Sequence, residues 1–510
     1  MRLTFSEIKN KIRKIVPEGT EYDVDLEAGS ISVITKEPAS FGGAGGQSLT
    51  VKIAKAIKRR VVIRPHPDLL SSESEVNDAV SRIMPEEALI RRIWLDPALS
   101  EVTIEADDPK SAVGQKGANI QQLRNEIGWL VNVVRAPARE SRTQTDIRRF
   151  RKELADERKT LLRKFGTRIY RPQRPGPSWV RVTALGSYRE VGRAMHLVTT
   201  NESKVLVDCG AKPTNNRSEV QPFFAAPEML PLDNIDAVVI THAHVDHIGM
   251  LPVLFRYGYK GPVYCTQPTR DLMTLLQMDY IKVAQAEGNE APYSKSDIQE
   301  CIKHVVDVNW GEKTDIAPDI KMTMENAGHI LGSSSVYMQI GEGRSEHKLL
   351  FSGDIKYEKS WLFDAATVRF NKVDTLVIES TYGGPQNIQP TRQQATQDLQ
   401  DLIIDTLSRK GKIFCPVFAV GRSQEVMMAI DELFKSEKVT PVTVWLDGMI
   451  SEATAIHTSH PNYLNKDLRG KMLRGGSENP FNSKWFRQVE SREQRESILL
   501  DPTPCIVLAT

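Results

Sequence analysis

The stretch IDAVVITHAHVDHIGMLPVLF, residues 235–255, decides how the rest of the chain is read. Its β-branched run Ala237-Val-Val-Ile-Thr241 predicts a buried strand, and Ile248 to Tyr257 predicts a helix. Between them lie His242, His244, Asp246 and His247. Three imidazoles and a carboxylate on one short turn repel or stay solvated unless a cation gathers them. Imidazole nitrogen and carboxylate oxygen are donor types that Zn²⁺ accepts, at about 2.0–2.2 Å. The alternate positions His242 and His244 can grip one ion, and Asp246 and His247, pointing the other way, can grip a second.

Composition bounds what surrounds this turn. A chain of 510 residues has room for about three or four domains. The net charge is +2, so a polyanion site must arise from local clustering. Cys209, Cys265, Cys301, Cys415 and Cys505 show no CxxC spacing, which speaks against a disulfide framework and fits a reducing cytosol. No apolar run is long enough to span a bilayer and no signal peptide opens the chain, so a soluble, cytoplasmic protein with no membrane partner is expected.

The first 140 residues repeat at a spacing of 71. Ile31-Ser-Val33 falls on Val102-Thr-Ile104, Pro38 on Pro109, Gly43-Ala-Gly-Gly46 on Gly114-Gln-Lys-Gly117, and Val62-Ile-Arg64 on Val133-Val-Arg135. Each copy reads as strand, short helix, GxxG, amphipathic helix and strand, with a helix in front (Phe5 to Val16; Val76 to Ile83). This resembles the KH domain with an extra helix and strand before it. That resemblance implies a GxxG loop that lets nucleic-acid backbone approach the following helix. Gly114, Gln115, Lys116 and Gly117 are the RNA-binding candidates. The first copy has no basic residue inside its loop, so its grip on RNA is left open.

From Arg135 to Arg174 basic residues outnumber acidic ones, from Arg139 and Arg142 to Arg168 and Arg171. Two readings stand: a solvated helix between domains, or a phosphate-contacting arm. Strands follow from Trp179. The order of a strand ending in Asp208, then HxHxDH, then Ala327-Gly-His329, then Phe351-Ser-Gly-Asp354, resembles the motif series of the metallo-β-lactamase fold, which implies an αββα sandwich with a dinuclear metal site. By position, His242, His244 and His329 are expected on the first metal and Asp246 and His247 on the second, with Asp354 bridging. Two ions about 3.5–4 Å apart can hold a hydroxide between them. Asp208 is expected to take a proton from a metal-bound water or to orient a ligand; its other reading is a turn residue.

Val373-Asp-Thr-Leu-Val-Ile-Glu379-Ser-Thr-Tyr-Gly383 is similar to the first signature of the β-CASP nucleic-acid nucleases, where the acid acts beside the leaving group. That makes Glu379 a catalytic candidate beside Asp208 and Asp246. Ile413 to Val420 predicts a buried strand. Gly421-Arg-Ser-Gln-Glu425 predicts a helix start, with Arg422 available to a phosphate and Ser423 as a cap. His457 and His460 are read as structural.

The expected architecture is α/β multidomain: KH-like α+β units at 1–70 and 71–138, a basic linker at 139–178, a metallo-β-lactamase domain at 179–385 and a C-terminally incomplete β-CASP cap at 386–510. End to end the chain resembles the archaeal homologues of the cleavage and polyadenylation specificity factor nuclease subunit. The resemblance implies a zinc-dependent endoribonuclease with two Zn²⁺ per complete site. It implies cutting of single-stranded RNA in transcript 3′-end processing and termination, a homodimer, and work beside RNA polymerase or the elongation machinery. The family's later histidines would fall beyond Thr510, so the sequence is expected to be an N-terminal piece holding about one tight zinc and cutting RNA poorly. The alternatives are an RNA-binding scaffold with an inactive nuclease body, and a metallo-hydrolase of small molecules.

Overall fold

The computed structural model describes residues 3–42, 48–173, 179–214, 217–474 and 478–510. The first copy of the repeat runs α1 (Phe5–Arg13), β1 (Tyr22–Glu27), β2 (Ser30–Thr35), α2 (Leu49–Ile57) and β3 (Val61–Pro65). The second runs α3 (Glu73–Ile83), β4 (Ile90–Asp96), β5 (Glu101–Ala106), α4 (Pro109–Val113), α5 (Ala118–Ile127) and β6 (Leu130–Arg135). Each folds into a three-stranded sheet whose first pair is antiparallel and second pair parallel. The same capping box starts both leading helices, Thr4 with Glu7 and Ser72 with Glu75. Ile8, Ile12, Ile31, Val33 and Ile53 fill one core, and Val76, Val80, Val102, Ile104 and Leu123 the other. The first GxxG, Gly43 to Gly46, lies outside the described residues.

The basic stretch is only in part the solvated helix expected between domains. It forms α6 (Arg142–Glu153) and α7 (Ala155–Ile169), which bury one face between units while Arg142, Lys159 and Lys164 on the other face stay exposed. Arg151 pairs with Asp307 at 2.7 Å, Arg158 with Asp96 at 2.8 Å, Arg168 with Asp236 at 2.9 Å, and Arg148 with Glu105. Ile169 and Tyr170 belong to the core of the first repeat unit. A Cβ on Gly166 would lie 2.4 Å from the Leu26 Cβ, so glycine lets α7 rest directly on β1. Charge balance alone cannot show this, because the acidic partners lie far away in sequence.

The central unit stacks two sheets. The first has the order β12-β11-β10-β9-β8-β7 and the second β13-β14-β15-β16-β17. In chain order the elements are β7 (Val180–Gly186), β8 (Met195–Thr200), β9 (Lys204–Val207), α8 (Arg217–Val220), β10 (Ala237–Val239), α9 (Val245–Ile248), α10 (Leu251–Arg256), β11 (Val263–Cys265), α11 (Gln267–Ala286), α12 (Lys295–His304) and β12 (Val305–Asp307). The second sheet follows with β13 (Lys313–Ala317), β14 (Ile320–Asn326), β15 (Ser334–Ile340), β16 (His347–Phe351) and β17 (Thr375–Val377). Val198, Val207, Val239 and Tyr264 from one sheet meet Met322, Val336, Met338 and Leu349 from the other. The predicted helix at 248–257 is the shorter α10, with a separate turn, α9, ending at Ile248 before it, and β17 is a half-exposed edge strand with Leu376 outward.

The last unit carries α13 (Arg392–Ser408), β18 (Ile413–Pro416), α14 (Arg422–Lys435), β19 (Thr443–Leu446), α15 (Ile450–Ser459), α16 (Lys466–Arg474), β20 (Phe486–Gln488), α17 (Arg492–Leu500) and β21 (Cys505–Ala509). Its parallel sheet has the order β18-β21-β19-β20. The buried strand expected at 413–420 is shorter and lies at the sheet edge, where Phe414 and Phe418 face outward. An edge strand has a neighbour on only one side, which apolar composition does not reveal. Together the units make a multidomain α/β protein. Among the described residues no helix is long and apolar enough to cross a membrane.

Candidate metal centre

β10 runs out at Val239 and delivers the turn Thr241 to His247 at the end of the first sheet. His242 sits on the extended approach, His244 caps α9, and Asp246 and His247 ride its single turn. The second sheet brings the remaining members. His329 stands in the β14–β15 connection, where the Ser333 hydroxyl accepts from the His329 and Ile330 amides at 3.1 and 3.2 Å. Asp354 follows β16 through Gly353 at φ +56°, where a Cβ would meet the Thr241 Cβ at 2.9 Å.

The side chains converge. Donor atoms of His242, His244, His329 and Asp354 lie within 4.8 Å of one another, as do those of His242, Asp246 and His247. The two Asp354 oxygens face different halves. Oδ2 lies 3.7 Å from His242 Nε2 and 3.5 Å from His329 Nε2, while Oδ1 lies 3.3 Å from His247 Nε2. His329 Nε2 and His244 Nδ1 approach to 3.0 Å.

The hydrogen bonds behind the rings set which nitrogen is free to donate a lone pair. Asp208 is buried and accepts from the Thr241 amide at 2.8 Å, the Thr241 hydroxyl at 2.9 Å and His247 Nδ1 at 2.8 Å. The Thr241 oxygen lies 3.0 Å from His242 Nδ1 and accepts its proton, which leaves Nε2 as the lone-pair atom. That Nε2 is buried with no hydrogen-bond partner. Asp208 thus stands behind the cluster with its oxygens engaged. Of the roles expected for it, the geometry matches orienting a ligand, and the proton-accepting one has no free oxygen facing the centre. Thr241 carries no sequence signal beyond adjacency to the histidines.

The electrostatics point the same way. Burial holds His242 well below the usual imidazole range, lowers His244, and takes His329 down to about 3, so all three are neutral and able to donate. Burial also disfavours charge on His247, but Asp208 and Asp354 outweigh it and raise that group well above its ordinary value. Burial would raise Asp354, yet its bond to His247 and the surrounding imidazoles hold it far below the usual carboxylate range. Neutral nitrogens around carboxylates that attract positive charge, with one orphaned buried lone pair, form a donor set that fits a divalent cation.

Other expected residues sit nearby or apart. Glu379 accepts from the Thr381 amide at 2.9 Å and the Ile355 amide at 3.5 Å, which places its carboxylate beside the residue after Asp354. Arg422 begins α14, pairs with Glu425 at 3.0 Å, and its charge reaches His244 and His329. Ser423 is not the cap: its hydroxyl donates back to Ala419, and Gln424 Oε1 accepts from the Gly421 amide at 2.7 Å. Gly114, Gln115, Lys116 and Gly117 lie in the second repeat unit, with Gln115 and Lys116 exposed. The backbone there is left-handed at Lys116 (φ +53°) and Gly117 (φ +84°). His457 bonds within its own helix at Ala453, and His460 lies 2.8 Å from Asp271, so neither joins the cluster.

Residues 203–408 match the Beta-lactamase superfamily domain, residues 423–510 the Beta-Casp domain, and residues 2–70 the KH domain of transcription termination factor FttA. The chain is 44% identical over 505 residues to the transcription termination factor FttA of Methanosarcina mazei, covering 99% of this chain and 78% of that one. It is 42% identical over 506 residues to that of Methanothermobacter thermautotrophicus, with 99% and 78% covered. With that of Methanocaldococcus jannaschii the identity is 41% over 503 residues, with 98% and 78% covered.

Proposed function

The chain belongs to the family of transcription termination factor FttA, and from that membership we propose that it is a zinc-dependent endoribonuclease cutting single-stranded RNA at transcript 3′ ends during termination. The observation that carries this is the convergence of four imidazoles and two carboxylates from two sheets into two adjoining, partly buried donor groups that share His242. In this reading His242, His244 and His329 hold one ion, Asp246 and His247 hold a second, and Asp354 faces both. When bound, such ions would supply Lewis acidity toward water and neutralise charge on the phosphoryl oxygens. Zinc suits the set because four of its members are nitrogen donors.

The chain's own residues do the rest. Asp208 locks the His247 tautomer so that Nε2 faces the centre. Arg422 offers a phosphate a positive charge at the mouth, and Glu379 stands beside Asp354 where a leaving oxygen can be met. The exposed loop Gly114 to Gly117 lets an RNA backbone close on α5, since a side chain at Gly117 would project into open space that a phosphate can use. Work beside the transcription machinery extends the same reading, in keeping with the relatives' name, and the homodimer is carried over from the family resemblance alone.

Labelled single-stranded RNA, incubated with zinc, with chelator and with the Asp354→Ala protein, tests it. Zinc should be required for cleavage, and Asp354→Ala should lose bound zinc and cleavage while RNA affinity stays near the wild-type value. Retained zinc stoichiometry in that variant would sink the ligand assignment. RNA binding with neither zinc uptake nor zinc-dependent cutting would favour the inactive scaffold, and turnover of small esters without RNA binding the small-molecule hydrolase.

A further inference from the structure

The turn between β7 and β8, residues 187–193, is strained and braced to a degree that a plain hairpin does not need. Ser187, Arg189 and Arg193 all adopt left-handed backbone, at φ +70°, +61° and +47°, and Gly192 lies at +104°. Non-glycine residues held there cost free energy and persist where surrounding contacts impose them. Those contacts are specific. Glu190 accepts from Arg193 Nε at 2.5 Å and from Lys212 Nζ at 3.0 Å. A Cβ on Gly192 would lie 2.8 Å from the Lys212 Cα.

This braced tip is tied to the metal-ligand turn. The Ala194 amide, where the hairpin returns, donates to the Asp246 carbonyl at 2.8 Å, and the Gly210 amide donates to the Ala194 carbonyl at 2.9 Å. Tyr188 sets its ring edge-on to His196 at 5.5 Å, and His196 packs against Phe351, three residues before Asp354. Yet half of Tyr188 remains exposed, at 50%. Arg189 beside it is exposed, and Phe223, whose amide donates to Leu185 at the base of the same hairpin, is exposed as well. Scattered exposed aromatics are ordinary on a protein surface. A tyrosine held against His196, with an exposed arginine next to it in the chain, on a strained, ion-paired tip one hydrogen bond from the Asp246 backbone, is not scattered.

We propose that this tip is a nucleobase-stacking lip of the metal centre, with the Tyr188 ring taking one base of a single-stranded RNA and Arg189 the adjoining phosphate. The inference rests on the RNA reading above. Stacking tolerates every base because each has a π-face, so the lip selects unpaired strands over duplex and positions the strand without reading its sequence. Its work is positioning, since Tyr188 touches no metal ligand.

The test is a set of RNA hexamers, each with one abasic nucleotide at a different position, bound to the zinc-loaded protein and followed by fluorescence anisotropy. In the wild-type protein one abasic position should weaken binding about tenfold. Tyr188→Leu, which keeps an apolar contact with His196 but no ring, should weaken the intact hexamer by a similar factor and erase the penalty at that position. Tyr188→Phe should behave as wild type, and zinc content should match in all three. A Tyr188→Leu protein that binds every hexamer as the wild type does, or keeps every abasic penalty, overturns the lip while leaving the nuclease reading standing. Absence of hexamer binding by the wild type would overturn both.

Discussion

Asp208 holds a left-handed backbone, φ +62°, at the end of β9, and its carboxylate accepts three hydrogen bonds there. That geometry aims His247 at the cluster, so the residue acts through another side chain. Asp208→Asn keeps the shape but replaces one acceptor oxygen with a donor amide, which cannot accept from the Thr241 hydroxyl and His247 Nδ1 as before. Zinc affinity should fall about 10–100-fold, as for other partners that orient metal-bound histidine. Isothermal titration with zinc reads this, and an affinity equal to the wild type would show that His247 needs no such support.

At the scale of elements, the second GxxG is a short connection between α4 and α5 in which Gly114, Lys116 and Gly117 all have positive φ. The Lys116 and Gln115 side chains face solvent, beside the N-terminal end of α5. Changing both Gln115 and Lys116 to Asp sets two negative charges where phosphate is expected. RNA affinity should drop, and the slope of log K against log salt should become shallower by about 0.7 for each phosphate that the loop no longer neutralises. Zinc content should not change. Equal affinity at low and moderate salt would mean that RNA is gripped away from this loop. The inward faces of α6 and α7 are poor substitutes, because Arg148, Arg151, Arg158 and Arg168 already pair with protein carboxylates.

Across the whole molecule, α6 makes a junction. Gln144 donates to Asp271 on α11 at 2.7 Å and accepts from Ser459 on α15 at 2.7 Å, while His460 lies 2.8 Å from the same Asp271 oxygen. Glu452 at the start of α15 accepts from the Ser141 hydroxyl at 2.6 Å and the Thr143 amide at 2.8 Å. Burial would raise the Asp271 carboxyl, but Arg270, then His460 and Gln144, outweigh it and hold it far below the usual range. A folded pKa below the unfolded one means stability that is fully present above about pH 4, near the unfolded value, and lost as pH falls toward the folded one. Asp271→Asn should therefore destabilise the protein by about 1–3 kcal/mol at neutral pH, because Arg270 loses one charged partner while keeping Asp307 at 2.7 Å. The gap should narrow as pH falls below about 4 in denaturant titrations. A gap that stays constant with pH would assign the loss to packing instead.

The sequence by itself determined the cluster and the repeat. HxHxDH places four donors within one turn, and the turn's position at a strand end follows from the β-branched run before it. The GxxG spacing likewise reports a local backbone need that glycine meets. The segment Gly421 to Glu425 also placed the start of α14, though not its cap: Ser423 turns back to Ala419 and Gln424 accepts from the Gly421 amide, a choice that only the fold makes. What the tertiary structure alone decided is where charged side chains find their partners. Arg151 meets Asp307 from 156 positions away, and Gln144 meets Ser459 from 315. Local pattern carries no information about such pairs, so a basic run that reads as solvent-facing or RNA-facing became the brace between units. The exposure of β17 and β18 was hidden for the same reason: an apolar strand looks alike at the edge and the centre of a sheet until its neighbours are known.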